Sequence, residues 1–431
     1  MKIKNILLAA AGLFAVLSVQ AQQTYTATYV DLKHTPAALY EPTVKTEKSS
    51  IGIVVMHSNQ NYMSFLANGE LASRGYTVLA LEAPSGEMQS DKWIAEGKGV
   101  DYLKAKAGIS KVVLLGHSGG ATTTTAYQLI AEQGAEVLKD KIYNEYKLPQ
   151  LTPADGVMLL DANYGNGIMT LLSLDPNVQD ETTGMNIHET LNLADPSKGY
   201  GGDAGSHYTP EFIKQYFTAQ AERMDRLTAG AQQRLELIKA GKGRFVDDEP
   251  FLAPGGAQPK FNNRLVPQDL SLLSHTHQSW PLIHGDGSVT HEVVHCLRGA
   301  MGYRSGSNRM GNTIDTTVRG FLSGLALRTD KEKLMIYEDR IEGIDWTSNI
   351  NNGIGNAQGI TVPLLTMGMT GSYEYIAAEW IYNASPAQDK TCAFVEGAGH
   401  MFYPEDQKYG DTVKALFDYV DQWLSTPGRF L

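Results

Sequence analysis

Three short apolar runs constrain this chain more than anything else in it: Ile51-Gly52-Ile53-Val54-Val55-Met56, Thr77-Val78-Leu79-Ala80-Leu81 and Lys111-Val112-Val113-Leu114-Leu115. Each has the length of a strand and no polar alternation, so each must be buried on both faces, as a central strand of a parallel sheet is. Parallel neighbours need crossover connections, and helical segments fall where crossovers are required. These run from Phe65 to Ser73 (stopped at Gly75), from Trp93 to Ala107 and from Gly119 to Gln133. Thr24 to Leu32 alternates like an edge strand, and Gly156 to Leu160 reads as one more core strand. The pattern predicts an α/β architecture, a mostly parallel sheet with helices on both faces.

After Asn163 the pattern breaks. From about Gly165 to Asn356 the chain is rich in Gly, Asn, Asp and His and carries one clear helix. That helix opens at Thr209-Pro210-Glu211, with a capping hydroxyl, Pro at the first helical position and an acidic first turn. Phe212, Tyr216, Met224 and Leu227 follow at helical spacing as a packing face. Strand-like runs return at Val362 to Met367 and Cys392 to Val395, separated by a helix near Tyr375 to Asn383 and followed by an amphipathic helix from Thr412 to Leu424. The expected organisation is a leader at 1–21, a first part of the sheet domain at 22–164, a large, mainly helical or irregular cap insertion at 165–355, and the second part of the sheet domain at 356–431. An insertion of that length is far beyond an ordinary connection. It is expected to form a lid over the site.

Lys2 and Lys4 precede an apolar run from Ile6 to Val19, and Val19-Gln20-Ala21 supplies the small residues a signal peptidase reads. Export to the periplasm or the medium is therefore expected, with no membrane insertion, since no second stretch is long enough to span a bilayer. The chain carries 36 Lys and Arg against 47 Asp and Glu, a net charge of −11, and becomes more negative once Lys2 and Lys4 are removed. Such a balance disfavours nucleic acid and anionic membranes as partners. Cys296 and Cys392 are either bridged or two buried thiols.

The chemistry concentrates at Gly116-His117-Ser118-Gly119-Gly120, a G-x-S-x-G motif that follows a strand directly and precedes a helix. That is the setting of a nucleophile elbow, in which a strained turn exposes Ser118 beside helix N-terminal amides. A Ser hydroxyl needs a base, and Gly397-Ala398-Gly399-His400 follows the last strand, where a loop returns His400 to the elbow. His117 is expected to point away from the nucleophile.

Met56-His57-Ser58-Asn59, Leu71 to Val78, Gly116 to Gly120 and Glu396 to His400 together resemble successive landmarks of the α/β-hydrolase superfamily, over residues 36–165 and 356–425. The resemblance implies an α/β-hydrolase fold and a serine hydrolase that cleaves a carboxylic ester of a small-molecule acyl substrate through an acyl-enzyme, without a cofactor. It also implies an oxyanion hole made by the Gly119 amide and one from Ser58 or Asn59. Two positions depart from the family pattern. His57-Ser58 stands where His-Gly is common, and Gly368 to Tyr373 lacks the Asp that usually follows the Val-Pro-containing strand. Glu374 is the first carboxylate there and the preferred acid, Asp161 at the end of the strand Gly156 to Leu160 is the alternative, and Glu379 ranks third.

A rival constellation is His291-Glu292-Val293-Val294-His295. On a helix His291 and His295 would share a face and hold zinc with Glu292 as base, which makes a zinc peptidase or zinc-stabilised module the alternative function. His275, His277 and His284 lie near, with Asp315 a conceivable third ligand. Against it, Arg298 and Met301 stand where an H-x-x-G-x-x-H extension needs Gly and His, and the Val pair disfavours a long helix. The expectation is no metal. A catalytically dead, binding-only fold is disfavoured because both Ser118 and His400 are present.

Overall fold

The structure, a computed structural model, describes residues 24–86, 88–184, 188–256, 264–299 and 313–431. The leader expected at 1–21, and Met301, lie outside the described residues. The first half runs β1 (Tyr25–Asp31), β2 (Pro36–Pro42), β3 (Ile51–Val55), α1 (Leu66–Ser73), β4 (Thr77–Leu81), α2 (Gln89–Ala105), β5 (Lys111–Ser118), α3 (Gly119–Gln133) and β6 (Gly156–Ala162). The middle supplies α4 (Asn166–Ser173), α5 (Pro210–Lys239), β7 (Pro250–Pro254), β8 (His275–Ile283), β9 (Val289–His295), β10 (Thr313–Thr317), α6 (Val318–Gly324), β11 (Met335–Ile336), β12 (Ile341–Glu342) and α7 (Gly353–Ala357). The chain closes with β13 (Leu364–Met369), α8 (Ala377–Ala384), β14 (Lys390–Val395) and α9 (Thr412–Leu424).

One ten-stranded sheet, ordered β1-β2-β4-β3-β5-β6-β13-β14-β8-β9, organises the molecule. It is parallel from β4 through β8 and antiparallel at both margins. Its central strands are buried throughout, and alternate residues feed opposite faces. Val54, Leu79, Leu114 and Leu159 pack with Trp93, Val100 and Tyr127 of α2 and α3. Ile53, Val113, Leu115 and Met158 pack with Leu71, Phe417, Val420 and Trp423 of α1 and α9. This mostly parallel sheet covered on both faces, with a strand-to-helix elbow at Ser118, is the α/β-hydrolase fold.

The inserted segment departs from the expected mainly helical or irregular cap in carrying strands: β10 pairs antiparallel with β7 and β11 with β12. It also contributes the hairpin β8–β9 to the main sheet, β8 extending β14 in parallel at Phe394↔Leu282 and Val395↔Ile283. Periodicity did not reveal β8, because its outer part is exposed and its polar residues follow no face. Helix α5 begins as expected, with the Thr209 hydroxyl accepting from the Phe212 amide at 3.2 Å, and it buries Phe212, Tyr216, Met224 and Leu227. Strand β2 was not expected; it is bounded by Pro36 and Pro42 and pairs antiparallel with β1 and β4. Helix α2 starts at Gln89 rather than Trp93. Cys296 and Cys392 are both free thiols. No helix among the described residues is long and apolar enough to cross a membrane.

Candidate active site

Strand β5 passes into α3 through Ser118, whose φ of 55° and ψ of −128° are conformations a side-chain-bearing residue rarely adopts. The motif's glycines make the turn possible. A Cβ on Gly116 would meet the Ala121 Cα at 2.7 Å, and one on Gly120 would meet the Met56 carbonyl at 2.5 Å. The strain of about 1–3 kcal/mol persists because sheet and helix both hold it. It turns Ser118 outward at the sheet's carboxyl edge.

His400, on the loop after β14, donates from Nδ1 to Asp161 Oδ2 at 2.6 Å. A carboxylate only accepts, so Nδ1 carries the proton and Nε2 is left free to act as a base. Asp161 is buried, its other oxygen accepts the Met369 amide at 3.0 Å, and its φ of 47° turns the end of β6 toward β13. This geometry corrects the preference for Glu374. Glu374 Oε2 comes only within 3.5 Å of Nδ1 and makes no hydrogen bond, while Oε1 accepts from the Tyr373 hydroxyl at 3.0 Å. The kinked backbone at Asp161 brings a shorter side chain closer than the loop after β13 brings a longer one. Glu379 is elsewhere: it accepts from the amides of His277 and Gln278 and from Trp280 Nε1, anchoring β8.

The His117 side chain lies between Tyr62 and the His400 loop. Its Nε2 donates to the His400 carbonyl at 2.8 Å, and its Nδ1 accepts from the Tyr62 hydroxyl at 2.7 Å. The two rings lie 4.6 Å apart. Burial, with positive charge at His400 and His57 adding, holds His117 well below the ordinary imidazole range, which keeps this clamp neutral. Its position between the elbow strand and the nucleophile was the only sequence signal for this role.

Burial opposes a charge on His400, but the hydrogen bond to Asp161 and the charges of Asp161 and Glu374 more than offset it and raise the imidazole to about 9. Glu374 is pushed up to about 7, by burial first and then by Asp161; His400 and the Tyr373 hydroxyl act in the opposite direction.

The loop after β3 lies against the start of α3: a Cβ built on Gly119 would meet Ser58 Oγ at 2.6 Å. The Asn59 amide donates to His57 Nδ1 at 3.3 Å, so of the two candidate second donors Ser58 is the one without that commitment. The insertion reaches this region just after β9: the Leu297 amide donates to the Thr370 carbonyl at 2.7 Å and the Cys296 thiol to the Ser372 carbonyl at 3.6 Å. The Tyr164 hydroxyl, just before the insertion, donates to the Tyr373 carbonyl. Met401 and Tyr403, beside His400, are exposed.

The His-Glu-x-x-His motif lies on strand β9, not on a helix. Four residues of strand separate two side chains by roughly 13 Å, too far to share one ion. His277 and His284 pair instead with Asp339 and Glu396, at 2.6 and 2.8 Å. Among the described residues, the one convergent group of three His, Cys, Asp or Glu side chains is Asp161, Glu374 and His400, already joined by a proton-bearing hydrogen bond.

No protein-family model matches the chain, and no curated protein matches it. Solved structures do. The siderophore hydrolase EstB from Aspergillus fumigatus is 13% identical, over 94% of this chain and 98% of its own, with a TM-score of 0.44. A hypothetical protein from Pseudomonas aeruginosa is 12% identical over 98% and 99%, with a TM-score of 0.41. Est1E from Butyrivibrio proteoclasticus, with ferulic acid bound, is 9% identical over 92% and 98%, with a TM-score of 0.38.

Proposed function

We propose that this protein is an exported serine hydrolase that cleaves a carboxylic ester, or a related acyl bond, through an acyl-enzyme on Ser118. The observation that carries the reading is the strained elbow at Ser118 together with His400, whose Nδ1 proton is committed to Asp161 and whose carbonyl accepts from His117, the residue before Ser118. In this reading Ser118 Oγ attacks the acyl carbon while His400 Nε2 takes the hydroxyl proton. Asp161 stabilises the imidazolium that forms. The amides of Gly119 and Ser58 receive the oxyanion, and its collapse expels the alcohol, which leaves with the proton from His400. Water then attacks the acyl-Ser118, giving its proton to His400, and the second collapse releases the carboxylic acid and restores Ser118. The apolar side chains of Met401 and Tyr403 suit an acyl or aromatic substrate group. The contacts of Cys296 and Leu297 with the loop 370–374 support the insertion's role as a lid, and the basic and apolar run from Lys2 to Val19 supports export.

The test is labelling by a fluorophosphonate, with turnover of acyl esters of graded chain length. Ser118→Ala is expected to abolish labelling and to lower turnover on the order of 10⁴-fold or more. Activity retained within about tenfold would remove Ser118 from the mechanism.

A further inference from the structure

We propose that Glu374 is a second positioning residue for His400, so that two carboxylates rather than one face Nδ1 and jointly govern the charge of the base. The inference rests on the serine-hydrolase reading. Glu374 is buried to 2% exposure, and its Oε2 lies 3.5 Å from the same Nδ1 that Asp161 binds at 2.6 Å. Oε1 is satisfied by the Tyr373 hydroxyl, whereas Oε2 has no hydrogen-bond partner. A buried carboxylate oxygen without a donor is costly unless a positive charge stands next to it. Among the described residues His400, when protonated, supplies that charge at 3.5 Å.

The position is held rigidly. The Gly371 amide donates to the Ala398 carbonyl at 2.8 Å, which joins the Glu374 loop to the His400 loop, and the Ser372 amide donates to the Met369 carbonyl at 2.8 Å, which closes a turn within the Glu374 loop. Among the described residues, His400 is the cation whose charge acts on Glu374. Asp161 faces it from β6, and Tyr373 on its own loop, Tyr62 after β3 and Tyr164 after β6 are all raised, in part by its charge. His117 behind His400 is held neutral, and the influence of Arg298 is felt at Tyr164 and Tyr375.

Two consequences distinguish this from a structural side chain. An ionised Glu374 makes His400 harder to deprotonate, so removing that charge moves the acid limb of activity to lower pH. Glu374 is also close enough to take the Nδ1 proton when Asp161 cannot, so the two acids are not independent.

The experiment is a double-mutant cycle of Glu374→Gln and Asp161→Asn, with three readouts: fluorophosphonate labelling of Ser118, the pH profile of kcat/KM, and the NMR titration of the His400 ring. Glu374→Gln is expected to lower both the acid limb and the NMR midpoint by about one pH unit, and Glu374→Asp to restore part of the shift. Asp161→Asn is expected to cost about 10²- to 10³-fold, and adding Glu374→Gln about a further tenfold. An unmoved NMR midpoint in Glu374→Gln, whatever its thermal stability, overturns the proposal, as does a double variant no slower than Asp161→Asn. Absence of Ser118 labelling in the wild type, with the midpoint still displaced by Glu374→Gln, would instead sink the hydrolase reading and leave the coupled pair standing.

Discussion

Asp161→Asn is the sharpest single perturbation of this site. The wild-type imidazole sits near 9 rather than at its ordinary value, and Asp161 supplies the hydrogen bond and the larger share of the charge responsible. A rise of that size corresponds to about 3 kcal/mol favouring the imidazolium. If Asp161 carries most of it, the barrier to proton transfer from Ser118 rises by roughly 2–4 kcal/mol, a loss of about 10²- to 10³-fold. A neutral amide adds a second penalty, since its NH₂ favours the tautomer with the proton on Nε2, where a base is needed. Glu374 at 3.5 Å limits the damage. The assay is steady-state hydrolysis of an activated ester, with folding followed by circular dichroism. The fall should appear in kcat, with KM changed little. A folded Asp161→Asn enzyme with kcat within about threefold of wild type would refute the assignment of the acid.

In the wild type, kcat/KM should rise with pH along a limb lying on the alkaline side of the ordinary imidazole value, because the base works only when neutral and is raised to about 9; a limb centred near 6 refutes this. His117→Phe keeps an aromatic ring but orphans the His400 carbonyl and the Tyr62 hydroxyl, so it should cost about 2–4 kcal/mol in denaturant unfolding and lower kcat. Unchanged kcat in the folded variant would show that the clamp does not position the base. Glu96 is fully buried between α2 and α3 with Oε2 unpartnered, and burial raises it to about 8 against an opposing bond from Thr124. A folded-state value above the unfolded one gives stability that is full below about 4.5 and lost as pH rises through about 8. Glu96→Gln should therefore melt higher than wild type at pH near 9 and much the same at pH near 5, and equal melting at both would contradict the account.

Local physics made most of the scaffold legible. Runs such as Ile51 to Val55 can be satisfied only by burial on both faces, and Thr209-Pro210-Glu211 can start only a helix, so central strands and α5 were readable without knowing their neighbours. Ser118 was readable because the elbow is a local event: strand, glycines and helix lie within a few residues. His400 followed from its place after the last core strand. What the tertiary structure decided was everything that depends on meeting across the sheet. Whether Asp161 or Glu374 bonds to His400 turns on a backbone angle of 47° at the end of β6 and on the Met369 amide of the adjacent strand, neither of which leaves a mark in residue order. The same holds for His117, whose partners Tyr62 and His400 are remote in the chain, and for His291-Glu292-Val293-Val294-His295. That segment became a strand because β8 offered it a ladder of hydrogen bonds, and no such partner is visible from a five-residue motif.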